Sequence, residues 1–277
     1  MERSVVEARA AAPDTHVLSY LYPVPTLGFV PINAFVIQAQ EPVLVDTGHV
    51  AARDEYMAAL SKVVDLGELR WIWLTHTDPD HVGNLLAVMA AAPNARLITT
   101  FLGLGKLSLM GIRTERVLLL NPGQVLDIGD RLLSALRPPT YDAPETTALF
   151  DEKTRSLFSA DSFGTVLAEP VVDAAALTPE QLHANMLLWS AIDSPWLEHV
   201  DMQRWSACLD AVRALAPDTV LSSHAPPASG ITETLLANLA DAVGQPPYRG
   251  PDQAAMEALM STVPPSEAGM HGQAHPR

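Results

Sequence analysis

Short apolar runs alternate with polar turns along most of this chain, and one run ends in a cluster of ionisable side chains. Trp71-Ile72-Trp73-Leu74 reads as a buried strand, and Thr75-His76-Thr77-Asp78-Pro79-Asp80-His81-Val82-Gly83-Asn84 follows it directly. Pro79 bars the cluster from a helix interior or a central strand. The apolar stretch after Asn84 reads as a helix stopping near Pro93. The cluster is therefore expected in a strand-to-helix loop, where α/β folds keep their chemistry. Upstream, residues 17–22, 34–38 and 43–46 are strand candidates separated by Pro23, Pro25, Gly28, Pro31 and Pro42. A helix over about 51–64 carries Tyr56 and Leu60 on one face.

Downstream the alternation predicts strands over 95–99, 117–120, 132–136, 148–150 and 156–161, with a short helix over 102–109. Asn121-Pro122-Gly123-Gln124 and Asp127-Ile128-Gly129-Asp130 read as turns. From Thr178 to Leu215 the pattern becomes helical, opened by Thr178 as cap and Pro179 at the first helical position. Residues 219–223 form a last buried strand running into His224, and a helix over 232–243 covers it. Beyond Gly244 the composition shifts to Pro, Gly, Gln and His. The pattern predicts an α/β (α+β) fold in one domain, residues 1–250, with a helical insertion at about 178–200. Residues 251–277 are expected to form a tail, a short helix near 254–260 followed by disorder.

Composition narrows the function classes. A formal net charge of −15, with no basic stripe to offset it, argues against nucleic acid and against an anionic membrane surface. No apolar run approaches the ~20 residues that span a bilayer. The N-terminus carries acids and lacks a long apolar core, so a signal peptide is not expected and the reading is cytoplasmic. The single cysteine, Cys208, excludes an internal disulfide; beside Leu209, Val212 and Leu215 it reads as a plain core thiol.

Acids and imidazoles sit at four separate strand ends: Asp46, the His76–His81 cluster, Asp161 and His224. Asp142 lies in the Pro-rich loop Arg137-Pro138-Pro139-Thr140-Tyr141-Asp142-Ala143-Pro144-Glu145. If these ends converge, the buried acids repel one another unless cations neutralise them, and a metal site is the economical explanation. Asp46 reads as a carboxylate that orients a ligand histidine rather than one that binds metal. His49 reads as an exposed loop histidine, and His16, His183, His199, His271 and His275 as ordinary.

Val45-Asp46-Thr47-Gly48, the Thr75–Asn84 cluster, Leu157-Phe158-Ser159-Ala160-Asp161 and Ser223-His224 together resemble the metallo-β-lactamase superfamily, in order and spacing, over most of residues 16–245. The resemblance implies a four-layer αββα sandwich with metals at one edge. The superfamily's usual cluster is His-x-His-x-Asp-His; here Asp78 stands at the second histidine. A carboxylate there is similar to the di-iron branch, the flavodiiron proteins and their oxygen-binding relatives, which typically have Glu. Leu157–Gly164 and the inserted helices after it resemble the same branch. Asp142-Ala143-Pro144-Glu145-Thr146 looks like its His-Trp-Pro-Asp-Ser/Thr stretch, which puts Asp142 where a histidine ligand normally sits.

By resemblance, one metal is held by His76, Asp78 and Asp142, and the second by Asp80, His81 and His224, with Asp161 bridging. Oxygen-rich ligation tilts the expected pair towards iron or manganese, although zinc accepts carboxylates too. The resemblance implies a non-haem di-iron oxidoreductase or oxygen-binding protein acting on a small oxidant such as dioxygen. Residues after 245 are too few to hold FMN, so an external redox partner is expected. The branch is often dimeric, which makes a homodimer an alternative to a monomer. The competing expectation is a di-zinc hydrolase of an ester, thioester or amide, with Asp80 as the catalytic residue orienting a metal-activated water. The inserted segment with Trp189, Trp196 and Trp205 is expected either to roof the pocket or simply to pack on the sandwich.

Overall fold

A computed structural model describes residues 6–113 and 115–262. Among these residues the strands form two sheets. The first runs β1 (Glu7–Ala12), β2 (Thr15–Val24), β3 (Gly28–Ile37), β4 (Val43–Val45), β5 (Trp71–Trp73), β6 (Arg96–Thr99) and β7 (Val117–Leu119), in that spatial order. The second comprises β8 (Val125–Asp127), β9 (Leu132–Leu136), β10 (Ala148–Asp151), β11 (Ser156–Phe158), β12 (Thr219–Leu221) and β13 (Ala228–Ser229), again with spatial neighbours consecutive in sequence. Helices α1 (Arg53–Val63), α2 (Pro79–Val82), α3 (Leu85–Ala91) and α4 (Phe101–Leu109) fall in the first half. Helices α5 (Pro179–Asp193), α6 (Met202–Leu215), α7 (Thr232–Ala240) and α8 (Gln253–Thr262) fall in the second.

The layers follow from the two-residue period of strands, which sends neighbouring side chains to opposite faces. Phe35, Ile37, Val43, Val45 and Trp73 point inward, against Leu149, Phe158 and Leu221 of the other sheet. Their neighbours Ala34, Val36, Leu44 and Ile72 point outward, under Tyr56 and Leu60 of α1 and Leu85 and Val88 of α3. The second sheet repeats the rule: Phe150, Leu157 and Val220 face Leu182 and Met186 of α5, Trp205 and Leu209 of α6, and Leu235 of α7. Strands apolar on both faces must be covered on both, and the result is the αββα sandwich.

Strand direction then positions the chemistry. β4, β5 and β6 are parallel to one another, as are β11 and β12. Their C-terminal ends carry Asp46, His76, Asp161 and His224 to one edge of the sandwich. Two backbone bonds stitch the sheets there, from Thr147 N to Thr75 O (2.8 Å) and from Asn33 N to Ser223 O (2.9 Å). The opposite edge is stitched by charge. The buried Arg131 guanidinium donates to Asp151 of β10 (3.1 Å), to Asp14 between β1 and β2 (2.9 Å) and to Asp130 (2.8 Å).

Several expectations need correction. β1 is not expected from the sequence: Glu-Ala-Arg-Ala-Ala-Ala has no β-branched or aromatic residue and pairs with β2 at the sheet's margin. β8 lies between the two expected turns and takes Asp127 from the second, pairing with β9 through three residues. Part of the metal cluster is helical, because Pro79 sits at the start of α2, where its missing N–H costs nothing. Cys208 is exposed, not a core thiol; α6 buries Trp205, Leu209 and Val212, and position 208 turns off that stripe. The short C-terminal helix is present, while the expected disorder and His271 and His275 lie outside the described residues. No helix among those described is long and apolar enough to cross a membrane.

Candidate metal centre

The loop after β5 is held rigidly. Thr77 Oγ1 donates to the buried Glu145 Oε1 (2.8 Å), which also takes Lys106 Nζ at 2.7 Å. Burial would raise the Glu145 carboxyl, but Lys106 and Thr77 hold it below the usual range. In the single turn of α2, His81 N and Val82 N both donate to Asp78 O, and Thr47 donates to His81 O through N and Oγ1 at 2.7 Å each. Gly83 has to be glycine: a Cβ there would lie 2.5 Å from Val50 N and 2.6 Å from Gly48 O.

Asp46 adopts a left-handed backbone, φ +58°, which aspartate tolerates better than most residues. Its Oδ1 accepts from Thr75 N (2.8 Å), and its Oδ2 from Thr75 Oγ1 (2.8 Å) and His81 Nδ1 (2.9 Å). His224 Nδ1 likewise donates to Pro31 O (2.8 Å), and His76 Nδ1 lies 3.1 Å from Thr75 Oγ1. With each Nδ1 engaged, all three Nε2 atoms are free to face one centre, the arrangement that fixes the tautomer of a metal-binding imidazole.

That centre is built around Asp161. Its Oδ2 lies 3.1 Å from His76 Nε2, and its Oδ1 lies 3.1 Å from His224 Nε2 and 3.3 Å from His81 Nε2. Asp80 Oδ2 lies 3.4 Å from His224 Nε2 and 3.5 Å from His81 Nε2. His81 Nε2 and Asp161 Oδ1 are buried and have no hydrogen-bond partner. Two orphaned ligand atoms facing each other at 3.3 Å fit a cation between them. Potential ligand atoms lie within 4.8 Å of one another in four groups: His76, His81, Asp161; Asp80, His81, His224; His76, Asp78, Asp142; and Asp142, Asp161, Asp193. The backbone is strained at the same place, since Ala160 and Phe163 flank Asp161 with φ of +51° and +65°. Such non-glycine conformations cost ~1–2 kcal/mol each. Ala160 is held by Ser223 N and Ser222 Oγ, which both donate to its carbonyl oxygen.

Protons stand in for cations in the metal-free chain. Burial opposes the imidazolium forms, but Asp161 and Asp80 outweigh it, so His76 is raised, His81 well raised and His224 pushed up to about 9. The same imidazoles hold Asp161 well below the usual carboxylate range against its burial. Burial and Asp161 together push Asp193 up to about 7. Raised imidazoles stabilise the metal-free fold fully below their unfolded value, about 6.5. That contribution is lost as pH rises through about 9 for His224. Metal binding requires those protons to leave, so a metal-loaded protein gains affinity, and with it stability, over the same interval. Melting temperatures measured from pH 6 to 9 should therefore slope downward without metal and upward with it.

A cleft of about 300 Å³ opens onto Asp80 and His224, walled by Tyr22, Val30, Ile32, His49 and Trp189. Trp189 projects from α5, donates from Nε1 to Asp161 O (2.9 Å) and lies over the His224 ring with centroids 4.4 Å apart. Gly164 leaves room for it, since a Cβ there would meet the indole at 2.4 Å. The insertion thus roofs the centre, while Trp205 is core and Trp196 packs on Tyr141. His49 departs from the expected exposed loop position: it is half-buried, stacks near Tyr20 and Tyr22 and lines the cleft. Asp193 was missed altogether. Its one sequence signal was an acid closing a helix, where the backbone disfavours negative charge.

Residues 30–224 match the family described as "ODP family beta lactamase". The flavo-diiron protein FprA2 of Clostridium acetobutylicum is 28% identical over 200 residues, covering 70% of this chain and 48% of that protein. An uncharacterized protein of Methanocaldococcus jannaschii, MJ0732, is 29% identical over 137 residues, 49% of this chain and 35% of that one. The chain spans about half the length, or less, of these curated relatives. Among solved structures, rubredoxin oxygen:oxidoreductase from Desulfovibrio gigas superposes with a TM-score of 0.75 at 18% identity, covering 85% of this chain and 61% of that one. A fragment of putative diflavin flavoprotein A 5 from Nostoc sp. PCC 7120 gives 0.72 at 18% identity, covering 86% of this chain and 95% of the fragment. The likeness extends over the paired sheets and the loops that end at His224, and the chain belongs to the ODP family of metallo-β-lactamase-fold proteins.

Proposed function

We propose that this chain is a non-haem di-iron protein that binds or reduces a small oxidant, drawing electrons from a donor outside these 277 residues. The observation that carries the reading is Asp161, whose two oxygens face separate imidazoles, Oδ2 towards His76 and Oδ1 towards His81 and His224. A carboxylate so disposed suits the space between two cations. His76, Asp78 and Asp142 would hold one, and Asp80, His81 and His224 the other. Carboxylates outnumber imidazoles in this set, which favours iron or manganese over zinc. The name of one relative, the flavo-diiron protein FprA2, supports iron.

A bound iron pair would supply one-electron redox steps and Lewis acidity. The chain's own contribution is orientation and dryness. Asp46 sets the His81 imidazole, and Pro31 O sets that of His224, which lines the cleft. Trp189, Val30 and Ile32 give the cleft apolar walls. Asp80, a quarter exposed, is the carboxylate of the set that lines this cleft. The same position would let Asp80 orient an attacking water, and this favours the hydrolase as second reading.

Metal analysis of protein purified without added metal separates the two. Iron at two per chain, silent by electron paramagnetic resonance when both ions are ferric and coupled, is the expected result. Two zinc ions together with turnover of an ester or thioester would sink the redox reading.

A further inference from the structure

Asp193 closes the fifteen-residue helix α5, a helix with no basic residue in its last turn. Its carboxylate therefore sits at the negative end of the helix dipole. It is also largely buried, and the charges facing it are those of Asp161, Asp142 and the His224 imidazole. Its polar partner is the Ser194 hydroxyl, which donates to Oδ2 at 2.9 Å. Helix end, burial and like charge all oppose an ionised acid here, and a choice that breaks local rules so consistently marks a functional position. Its ligand-type oxygen lies within 4.8 Å of those of Asp142 and Asp161, and Asp142 in turn groups with His76 and Asp78. Asp161, buried beside Asp193, turns Oδ2 towards His76 and its unpartnered Oδ1 towards His81 and His224, and so borders both positions. One cation relieves all three penalties at once.

From this geometry we propose that Asp193 is an additional oxygen ligand to the metal position formed by His76, Asp78 and Asp142, delivered by the helical insertion. The inference rests on the two-metal reading above. It gives the two positions different characters. The Asp80–His81–His224 position has two imidazoles and one terminal carboxylate. The other has one imidazole and three carboxylates, with Asp161 shared between them. Hard, oxygen-rich ligation selects Fe2+ or Mn2+ over Zn2+, so the insertion sets metal selectivity at one position as well as covering the cleft.

The test is anaerobic titration of the full chain with Fe2+, and separately with Mn2+ and Zn2+, for wild type, Asp193→Asn and Asp193→Glu. Wild type is expected to take two ions. Asp193→Asn should weaken one Fe2+ or Mn2+ equivalent by about 10–100-fold, leave the other unchanged, and reduce the preference over Zn2+. Asp193→Glu should restore most of the loss. The metal-free Asp193→Asn protein should melt higher than wild type, since the helix-end and like-charge penalties are gone, which also shows that it folds. Wild-type affinity for both ions in Asp193→Asn would overturn the ligand assignment and leave the two-metal reading intact. Failure of wild type to take a second ion would overturn both.

Discussion

Replacing Asp161 with alanine should cost the protein at least one of its two metals. The side chain is buried, its two oxygens approach three imidazoles within 3.1–3.3 Å, and one oxygen has no other partner. Outer-lying partners of metal ligands already change affinity by about 10–100-fold when removed, so a residue between two cations is expected to exceed that. Asp161→Asn keeps the shape and removes the charge, and should lose metal nearly as fully. Both variants should also let His224 return from about 9 towards ordinary imidazole values in the metal-free state, which a pH titration followed by NMR would detect. Full retention of two ions in Asp161→Ala would show that the ligand assignment is wrong.

The second large effect lies at the far edge. Arg131→Met should destabilise the fold by about 3–5 kcal/mol, because it strands a charge in the interior rather than deleting a pair. Asp151 is fully buried, and the Arg131 side chain is 1% exposed; Asp14 and Asp130 are partly in water and lose less. Burial opposes the Arg131 charge, but Asp130, Asp151 and Asp14 hold it strongly protonated, and Arg131 in turn holds Asp130 below the usual carboxylate range. Lysine at 131 keeps the charge but cannot fork to Asp151 and Asp14 at once, so an intermediate loss is expected. Urea unfolding at neutral pH would measure the series. A loss below about 1 kcal/mol for Arg131→Met, the scale of an exposed pair, would mean that the cluster is effectively solvated.

Much of this was legible because the chemistry sits where periodicity breaks. Asp46, His76, Asp161 and His224 each follow a short run apolar on both faces, and such runs have few alternatives to a buried parallel strand. The structure brings those residues, with Asp78, Asp80, His81 and Asp142, to one edge. What escaped notice carries no periodic signal. β1 is mostly alanine and charge, and its pairing is decided by β2 rather than by its own residues. His49 looks like any loop histidine until β2 brings Tyr20 and Tyr22 beside it. Cys208 was misjudged by one position around α6. Asp193 is 32 residues from Asp161 in the chain, and only the fold back of α5 makes them neighbours.

The seam between the sheets has one more consequence, for when metal can be acquired. The proposed ligands come from both sheets, His76 to His81 from the first and Asp161 and His224 from the second. Neither half holds a complete position, because the orphaned atoms of His81 and Asp161 are opposite each other across the seam. During synthesis the first sheet is complete long before His224 leaves the ribosome. The Asp80–His81–His224 position is therefore completed last, only once residue 224 has been made and the two sheets have met, whereas His76, Asp78, Asp142 and Asp161 are all in the chain before it.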